Sequence, residues 1–254
     1  MKITGIKNED ETKKTKAFIN IEINDIQLKG FKLYENEEKE LKLMLPSTMK
    51  RDENGEVMKT KDDRIINSHP IIINPDLSNK SDLFKELEKT VINAYNDQSN
   101  YKEVKNENKT FQALEKDVDM PEFEKGDLKA NNVFSISKDK QKNPDYQFKA
   151  TSNLCVGAFR INQVNLIYNT LKNNYNVIFP QYQNADKTNT SFVVPKDKET
   201  FSRIKKEVVG SYKEKVKEFT ENQKKQQFEN AQKQANQQSY EAQPQVAQSQ
   251  SLQQ

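Results

Sequence analysis

The sequence predicts an α+β protein made of two tandem, diverged copies of one small module. Three observations predict this: strand-like segments of alternating hydrophobicity, helix-like segments with apolar residues spaced by three and four, and the return of both at a nearly constant offset. Each module is expected to be an antiparallel sheet of about four or five strands with a C-terminal helix. We place the modules at residues 1–96 and 131–220, a polar linker at 97–130 and a tail at 221–254.

Each copy begins with short strands and a shared irregularity. First strands are expected at Ile3 to Lys7 and at Val133 to Ser137. A second strand, residues 17–24, places three isoleucines on one side and Asn20, Glu22 and Asn24 on the other. The alternation then slips by one residue at Gly30, which predicts a β-bulge or a tight bend.

The second copy repeats this slip, which is the strongest evidence for duplication. Ala17 aligns with Ala150 at an offset of 133 residues. The same offset carries the later apolar positions of copy one, which are Ile26, Leu28, Phe31 and Leu33, onto Phe159, Ile161, Val164 and Leu166. A common change of parity at the same place predicts two copies of one strand pair.

The remaining elements of each copy follow in the same order. A third strand ends in proline at Pro46 and at Pro180, because proline cannot continue a central ladder. A polar loop and an apolar run follow, at residues 71–73 in copy one and 192–194 in copy two. Each copy then closes with an amphipathic helix, for which Ser81 and Asp197 are the expected N-caps. The two apolar faces are Phe84, Leu87, Val91, Ile92 and Tyr95, and Phe201, Ile204, Val208, Val209 and Tyr212.

The segment between the copies and the C-terminal tail have different compositions. Residues 97–130 are polar with scattered apolar positions, which favours a linker that forms a helical turn or docks on a module. From Glu221 the chain is rich in Gln, Asn, Ala and Ser with almost no aliphatic residues. Such a tract buries too little apolar surface to offset its ordering entropy, so disorder is predicted, with a helical extension over residues 213–238 as an alternative.

Copy one resembles a domain of the SpoVG (stage V sporulation protein G) family. The resemblance lies in the strand AFINIEINDIQLKGFKLYE, the exit LMLPS, the turn at Gly55, the run Ser68-His69-Pro70-Ile71 and the final helix. Copy two keeps the framework but has Pro180-Gln181 at the exit and no His-Pro before Phe192. The resemblance implies a small, dimeric, cytoplasmic bacterial protein that is linked to septation and sporulation and binds DNA or RNA. Two fused modules would then form a pseudo-dimer within one chain.

The residue content argues against catalysis. The chain has one His, one Cys and six glycines without a phosphate-binding loop, so no enzyme activity, cofactor or metal site is expected. His69 lacks a second His or Cys and is expected to be structural, with a nucleic-acid contact as the alternative. Cys155 is expected to be a plain strand or core residue, consistent with a reducing compartment. No apolar stretch predicts a membrane span or a signal peptide, so we expect a cytoplasmic location.

Local clustering of cations is the remaining functional signal, since the net charge is only +3. The second helix is more basic than the first and is the better candidate for phosphate contact, aided by a loop of copy one. The predicted nucleic-acid-binding residues are Lys50, Arg51, Lys59, Lys61 and Arg64 of the loop and Arg203, Lys205, Lys206 and Lys213 of the helix. A solvated helix face is the competing interpretation of the lysines. Tyr34, Tyr168 and Tyr182 either stack on unpaired bases or complete a core edge.

Two functions therefore stay open at the level of sequence. The first is a nucleic-acid-binding regulator that uses the basic helix and loop on DNA or RNA. The second is a regulatory scaffold whose paired sheets and Gln-rich tail bind proteins, for instance in septation or in the machinery of a mobile element. The modules pair either within a monomer, as a pseudo-dimer, or across a homodimer.

Overall fold

The structure is a computed structural model that describes residues 1–10, 12–50, 52, 56–106, 109–135, 145–183 and 188–241. It divides into two compact units, residues 1–211 and 212–254, which are described separately below. The strands, in chain order, are β1 (Lys2–Lys7), β2 (Thr15–Ile23), β3 (Ile26–Glu35), β4 (Leu41–Met44), β5 (Thr48–Met49), β6 (Asn67–Ser68), β7 (Ile71–Ile73), β8 (Tyr101–Asn106), β9 (Lys109–Asp117), β10 (Lys129–Ser135), β11 (Tyr146–Val156), β12 (Phe159–Asn169), β13 (Asn174–Ile178), β14 (Gln181–Gln183), β15 (Asn189–Ser191) and β16 (Val193–Pro195). The helices are α1 (Lys80–Asn96), α2 (Pro121–Glu124) and α3 (Lys198–Glu241), with a 3₁₀ turn at Gln98–Asn100.

The predicted α+β class with antiparallel sheets is confirmed. A first sheet of seven strands has the order β16-β3-β2-β1-β9-β8, with β4 also paired to β3. A second sheet of five strands has the order β10-β11-β12-β13, with β7 paired to β12. Two short ladders, β5-β6 and β14-β15, complete the described strands. The predicted first strands are present as β1 and β10, and the end of the second prediction, Ser137, lies outside the described residues.

Both predicted slips are β-bulges. The β2–β3 register shifts between the pairs Ile19↔Phe31 and Ile21↔Leu28, and the β11–β12 register shifts at the matching place. Gly30 has φ 91° and Gln163, at the offset of 133 residues, has φ 62°. A Cβ on Gly30 would lie 2.7 Å from the Phe192 ring, so glycine is required there for space as well as for conformation.

The expectation that each copy completes its own sheet is wrong for one strand in each copy. β7, from the first half of the chain, pairs with β12 through Ile71↔Ile161, and β16, from the second half, pairs with β3 through Val193↔Leu28. The exchange is reciprocal, because residues at matching positions make matching pairs. The flanking bonds match too: Lys29 N donates to Phe192 O at 2.7 Å, and Asn162 N donates to Pro70 O at 2.8 Å. An apolar run such as Ile-Ile-Ile predicts a strand but does not specify which edge it joins.

Residues 97–130, predicted to be a linker, mostly form sheet. β8 and β9 make a hairpin whose second strand pairs with β1, which extends the first sheet by two strands. The apolar residues that looked scattered alternate in pairs across this hairpin, so Leu114 is buried opposite Tyr101. α2 then places Phe123 in the core against Phe159, at 5.5 Å between ring centroids. Charged outward positions hid this strand period in the sequence.

The helices agree with the predictions in kind and differ at their boundaries. α1 begins at Lys80, so the predicted N-cap Ser81 is wrong, and Asn79 stands at the cap without a side-chain bond. The buried stripe of α1 is Leu83, Leu87, Val91 and Ala94, with the predicted Phe84, Ile92 and Tyr95 half-buried beside it. The Asp197 cap is confirmed, because Thr200 N donates to its Oδ1 at 2.7 Å.

The C-terminal helix is longer than predicted. α3 continues to Glu241, so the expectation of disorder from residue 221 is wrong for residues 221–241. Between residues 211 and 241 the sequence has no Gly or Pro and is rich in Gln, Lys, Glu and Ala, which are good helix formers. The rest of the predicted tail, residues 242–254, lies outside the described part of the chain.

Candidate nucleic-acid interface

The predicted basic loop of copy one is an extended arm, residues 48–68. The pairing of β5 with β6 closes its base, and Lys50 N donates to Ile66 O while Met58 N donates to Lys50 O, each at 2.8 Å. Lys59 forms an ion pair with Asp63 at 2.8 Å. In the described part of the arm, the exposed Lys50, Lys61 and Arg64 have no ion-pair partner, and the predicted Arg51 and the turn at Gly55 lie outside the described residues.

The first turns of α3 face carboxylates. Arg203 donates from Nη2 to Asn24 O at 3.4 Å and lines a cleft with Asp25, Glu124 and Asp127. Lys196, just before the helix, pairs with Glu22 at 3.3 Å and with Asp25 at 3.5 Å. The hydrogen bond to Glu22 raises the pKa of Lys196, so this ammonium stays charged but is already neutralised by its neighbours. Arg203 is therefore a poor phosphate ligand.

The other predicted cations of α3 are freer. Lys205 is half-buried and Lys206 is exposed, and neither has an ion pair among the residues that the structure describes. Lys206 lies on the helix face opposite the buried Ile204 and Val208. Lys213 belongs to the second unit, where it is exposed and also lacks a carboxylate partner within the described range.

The structure anchors the two predicted cation groups at different points of the first sheet. α3 follows the β2–β3 turn closely, since Lys196 N donates to Asp25 O at 2.8 Å. The arm leaves from Pro46, which lies beside the Gly30 bulge. At about 3.3 Å per strand residue, these two anchor points are roughly 16 Å apart along β3. The sequence treated the loop and the helix as one interface, whereas their bases are separate.

Sequence reasoning missed a third candidate, on the solvent side of the first sheet. Phe18, Ile6 and Met44 are 50%, 46% and 42% exposed, and all three lie on this face. The register pairs Phe18 with both Ile6 and Lys32, and pairs Lys32 with Met44. The signal was present in the alternation of β2, because Phe18 falls on the same side as Asn20 and Glu22.

The remaining single residues are structural. His69 Nδ1 lies 3.3 Å from Pro46 O, so the histidine holds the base of the arm. Cys155 is buried in β11, and burial raises the pKa of its thiol. The Tyr168 ring contacts Tyr175 at 5.1 Å and the Tyr182 ring contacts Phe192 at 4.8 Å, as expected for core edges. Within the described ranges no three His, Cys, Asp or Glu side chains are grouped as a metal site would need.

These features define the class of the protein: an α+β chain of antiparallel sheets with exposed cations on an arm and on a long C-terminal helix. Comparison of the chain with protein-family models, with curated proteins and with solved structures finds no match. Among the described residues, no helix combines the length and the apolar character needed to cross a bilayer.

Proposed function

We propose that this protein is a non-enzymatic, nucleic-acid-binding regulator of the SpoVG type that contacts the phosphates of DNA or RNA. The observation that carries the proposal is the set of exposed cations without carboxylate partners in the described structure: Lys50, Lys61 and Arg64 on the arm, and Lys206 and Lys213 on α3. A lysine or arginine that has no internal partner can neutralise a phosphate without first breaking an ion pair, and this releases a counterion.

The reciprocal strand exchange supports the pseudo-dimer part of the proposal. Each half of the chain supplies one strand to the sheet of the other, with Ile71 opposite Ile161 and Val193 opposite Leu28. A twofold-related pair of identical subunits would exchange strands in this manner. A single chain would then provide what a dimer of one-module proteins provides, including two positions for contact with a nucleic acid.

Salt-dependent binding tests the proposal. Fluorescence anisotropy with labelled single- and double-stranded DNA and RNA should show binding that weakens as salt rises, with a slope of log affinity against log salt of roughly −0.9 per phosphate contact on duplex DNA. The triple variant Lys50→Gln, Lys61→Gln, Arg64→Gln should weaken binding and reduce that slope by up to about 2.7 if all three residues contact phosphates.

A charge-matched triple variant is the control. Lys13, Lys85 and Lys125 are exposed and each is paired with a nearby carboxylate, so replacing them with Gln removes the same charge from sites already neutralised. This control should leave the slope close to that of the wild type. Equal losses in both triple variants would show a non-specific charge effect, and flat titrations of the wild type at low salt would refute the proposal.

A protein-binding scaffold is the second candidate, and one observation favours it. The second unit exposes large apolar side chains on its helix, with Val216 at 42%, Phe219 at 62% and Phe228 at 65%. Exposed apolar residues on a helix are typical of partner binding. Recovery of the same protein partners after nuclease treatment, with no intrinsic affinity for DNA or RNA, would favour the scaffold.

A further inference from the structure

The solvent face of the first sheet carries an apolar row with lysines in it. Reading across β4, β3, β2, β1, β9 and β8, the register places one residue of each strand in line. These residues are Met44, Lys32, Phe18, Ile6, Ala113 and Lys102. Six strands about 4.8 Å apart make this row roughly 24 Å long. A solvent-facing sheet surface normally reads polar, so a half-exposed phenylalanine at its centre requires a reason.

Neighbouring rows add aromatic rings and cations to the same face. Phe111 pairs with Val104 next to the Ala113–Lys102 pair, and Tyr34 pairs with Lys42 next to the Lys32–Met44 pair. All of these side chains are at least half-buried or exposed rather than enclosed in the core. The face therefore offers three aromatic side chains on β2, β3 and β9, with lysines between and beside them.

The lysine at the centre differs from those at the rim. Lys16, Lys42 and Lys102 pair with Glu35, Glu40 and Glu115 at 3.4, 3.2 and 3.4 Å. Lys32 is exposed between Met44 and Phe18 and has no carboxylate within ion-pair distance in the described structure. An unpaired ammonium beside an exposed ring can hold a phosphate while the ring contacts the attached base.

The second sheet shows the same framework with different chemistry. At the offset of 133 residues, Thr151 and Asn165 stand at the positions of Phe18 and Lys32 and are likewise paired in register. Thr151 Oγ1 donates to Asn165 Oδ1 at 2.9 Å, so these polar groups satisfy each other. The aromatic residue and the free cation are therefore specific to the first sheet and are not needed to build the strand pair.

We infer that this face binds a single strand of DNA or RNA, with a base stacked on Phe18 and a phosphate held by Lys32. The inference rests on the proposed function and names the substrate class and a site for it. Single strands expose the faces of their bases, which stack on aromatic side chains of a sheet, whereas a duplex hides them. A protein partner fits the face less well, because lysine is depleted from the cores of protein interfaces.

The test measures affinity of the full chain for labelled 12-mers of dT and U and for a 12-base-pair DNA duplex. Phe18→Ala should weaken single-strand binding about 5- to 150-fold, the range found when one base loses an aromatic partner. Phe18→Tyr keeps the ring and should stay within about twofold of the wild type. The double variant Phe18→Thr, Lys32→Asn gives the first sheet the chemistry of the second and should lose at least as much as Phe18→Ala.

Two further measurements keep the result interpretable. Leu171→Ala, at a loop residue that is 76% exposed, removes apolar surface elsewhere and should leave affinity unchanged. Circular dichroism melts check that the Phe18 variants keep the fold, which is expected because half of the Phe18 side chain is already in solvent.

Each other outcome overturns the inference in a distinct way. If the wild type binds single strands and Phe18→Ala binds equally well, the sheet face is not the site, and the proposed function stands on the arm and α3. If the wild type binds no nucleic acid, both fail. If sedimentation shows that Phe18→Ala abolishes self-association of the wild type without changing affinity for nucleic acid, the face is instead an interface between copies.

Discussion

Replacing Ile71 with alanine should destabilise the second sheet, although Ile71 belongs to the first half of the chain. Its side chain is 0% exposed and it pairs with Ile161 of β12. Truncation of a fully buried isoleucine costs about 2–5 kcal/mol from lost apolar burial and the cavity that remains. For a chain of this size that corresponds to a fall in Tm of roughly 4–20 °C.

Hydrogen exchange read by mass spectrometry locates the effect. In Ile71→Ala, amides of β12 should lose protection before those of β3, because local opening releases the strand that β7 covers. Val193→Ala should do the reverse, since β16 covers β3. Ile65→Ala, at a residue that is 48% exposed, is the control and should change stability by no more than about 0.5 kcal/mol. Loss of protection in β3 with β12 unchanged in Ile71→Ala would refute the strand exchange.

Two further changes probe local structure by thermal melts. Gly157→Ala should lower Tm strongly, because the new Cβ would lie 1.9 Å from Phe123 O at a residue with φ 54°, whereas Gly210→Ala meets nothing within 4 Å and should raise stability by up to about 1 kcal/mol; similar effects of the two would contradict this geometry. The hydrogen bond from Thr200 N lowers the pKa of Asp197, so this cap stabilises the fold above about pH 4 and less as pH falls through its folded pKa. The Tm difference between wild type and Asp197→Ala should therefore be present at pH 7 and shrink in acid, and a constant difference would refute the ionised cap.

The sequence predicted the elements that depend on local chemistry. The bulges at Gly30 and Gln163 follow from a shift of the period-two pattern, and the exits at Pro46 and Pro180 follow from the missing amide hydrogen of proline. The Asp197 cap follows from a carboxylate placed three residues before an orphan amide. Each of these signals acts within a few residues, so a single chain segment contains it.

The candidate site was predicted less completely. Lys50, Lys61 and Arg64 are exposed cations, as predicted, but Arg203 is held by Asn24 O and by nearby acids that come from distant segments. Charge counts along the sequence could not reveal that neighbourhood. Phe18 was visible on the polar side of β2, but its importance depends on Lys32 and Met44 beside it, and these arrive through pairing of three strands.

By itself, the sequence determined where strands bulge and stop, which faces of the helices are apolar and that the two halves share one pattern, because periodicity and turn chemistry are local. Only the tertiary structure decided that β7 and β16 change sheets, that residues 101–117 add a hairpin to β1, and that Phe18 lies in the middle of an exposed six-strand row. The physical reason is that an isolated strand leaves its backbone donors and acceptors open on both edges. Which other strand satisfies them is settled by the packing of the whole chain.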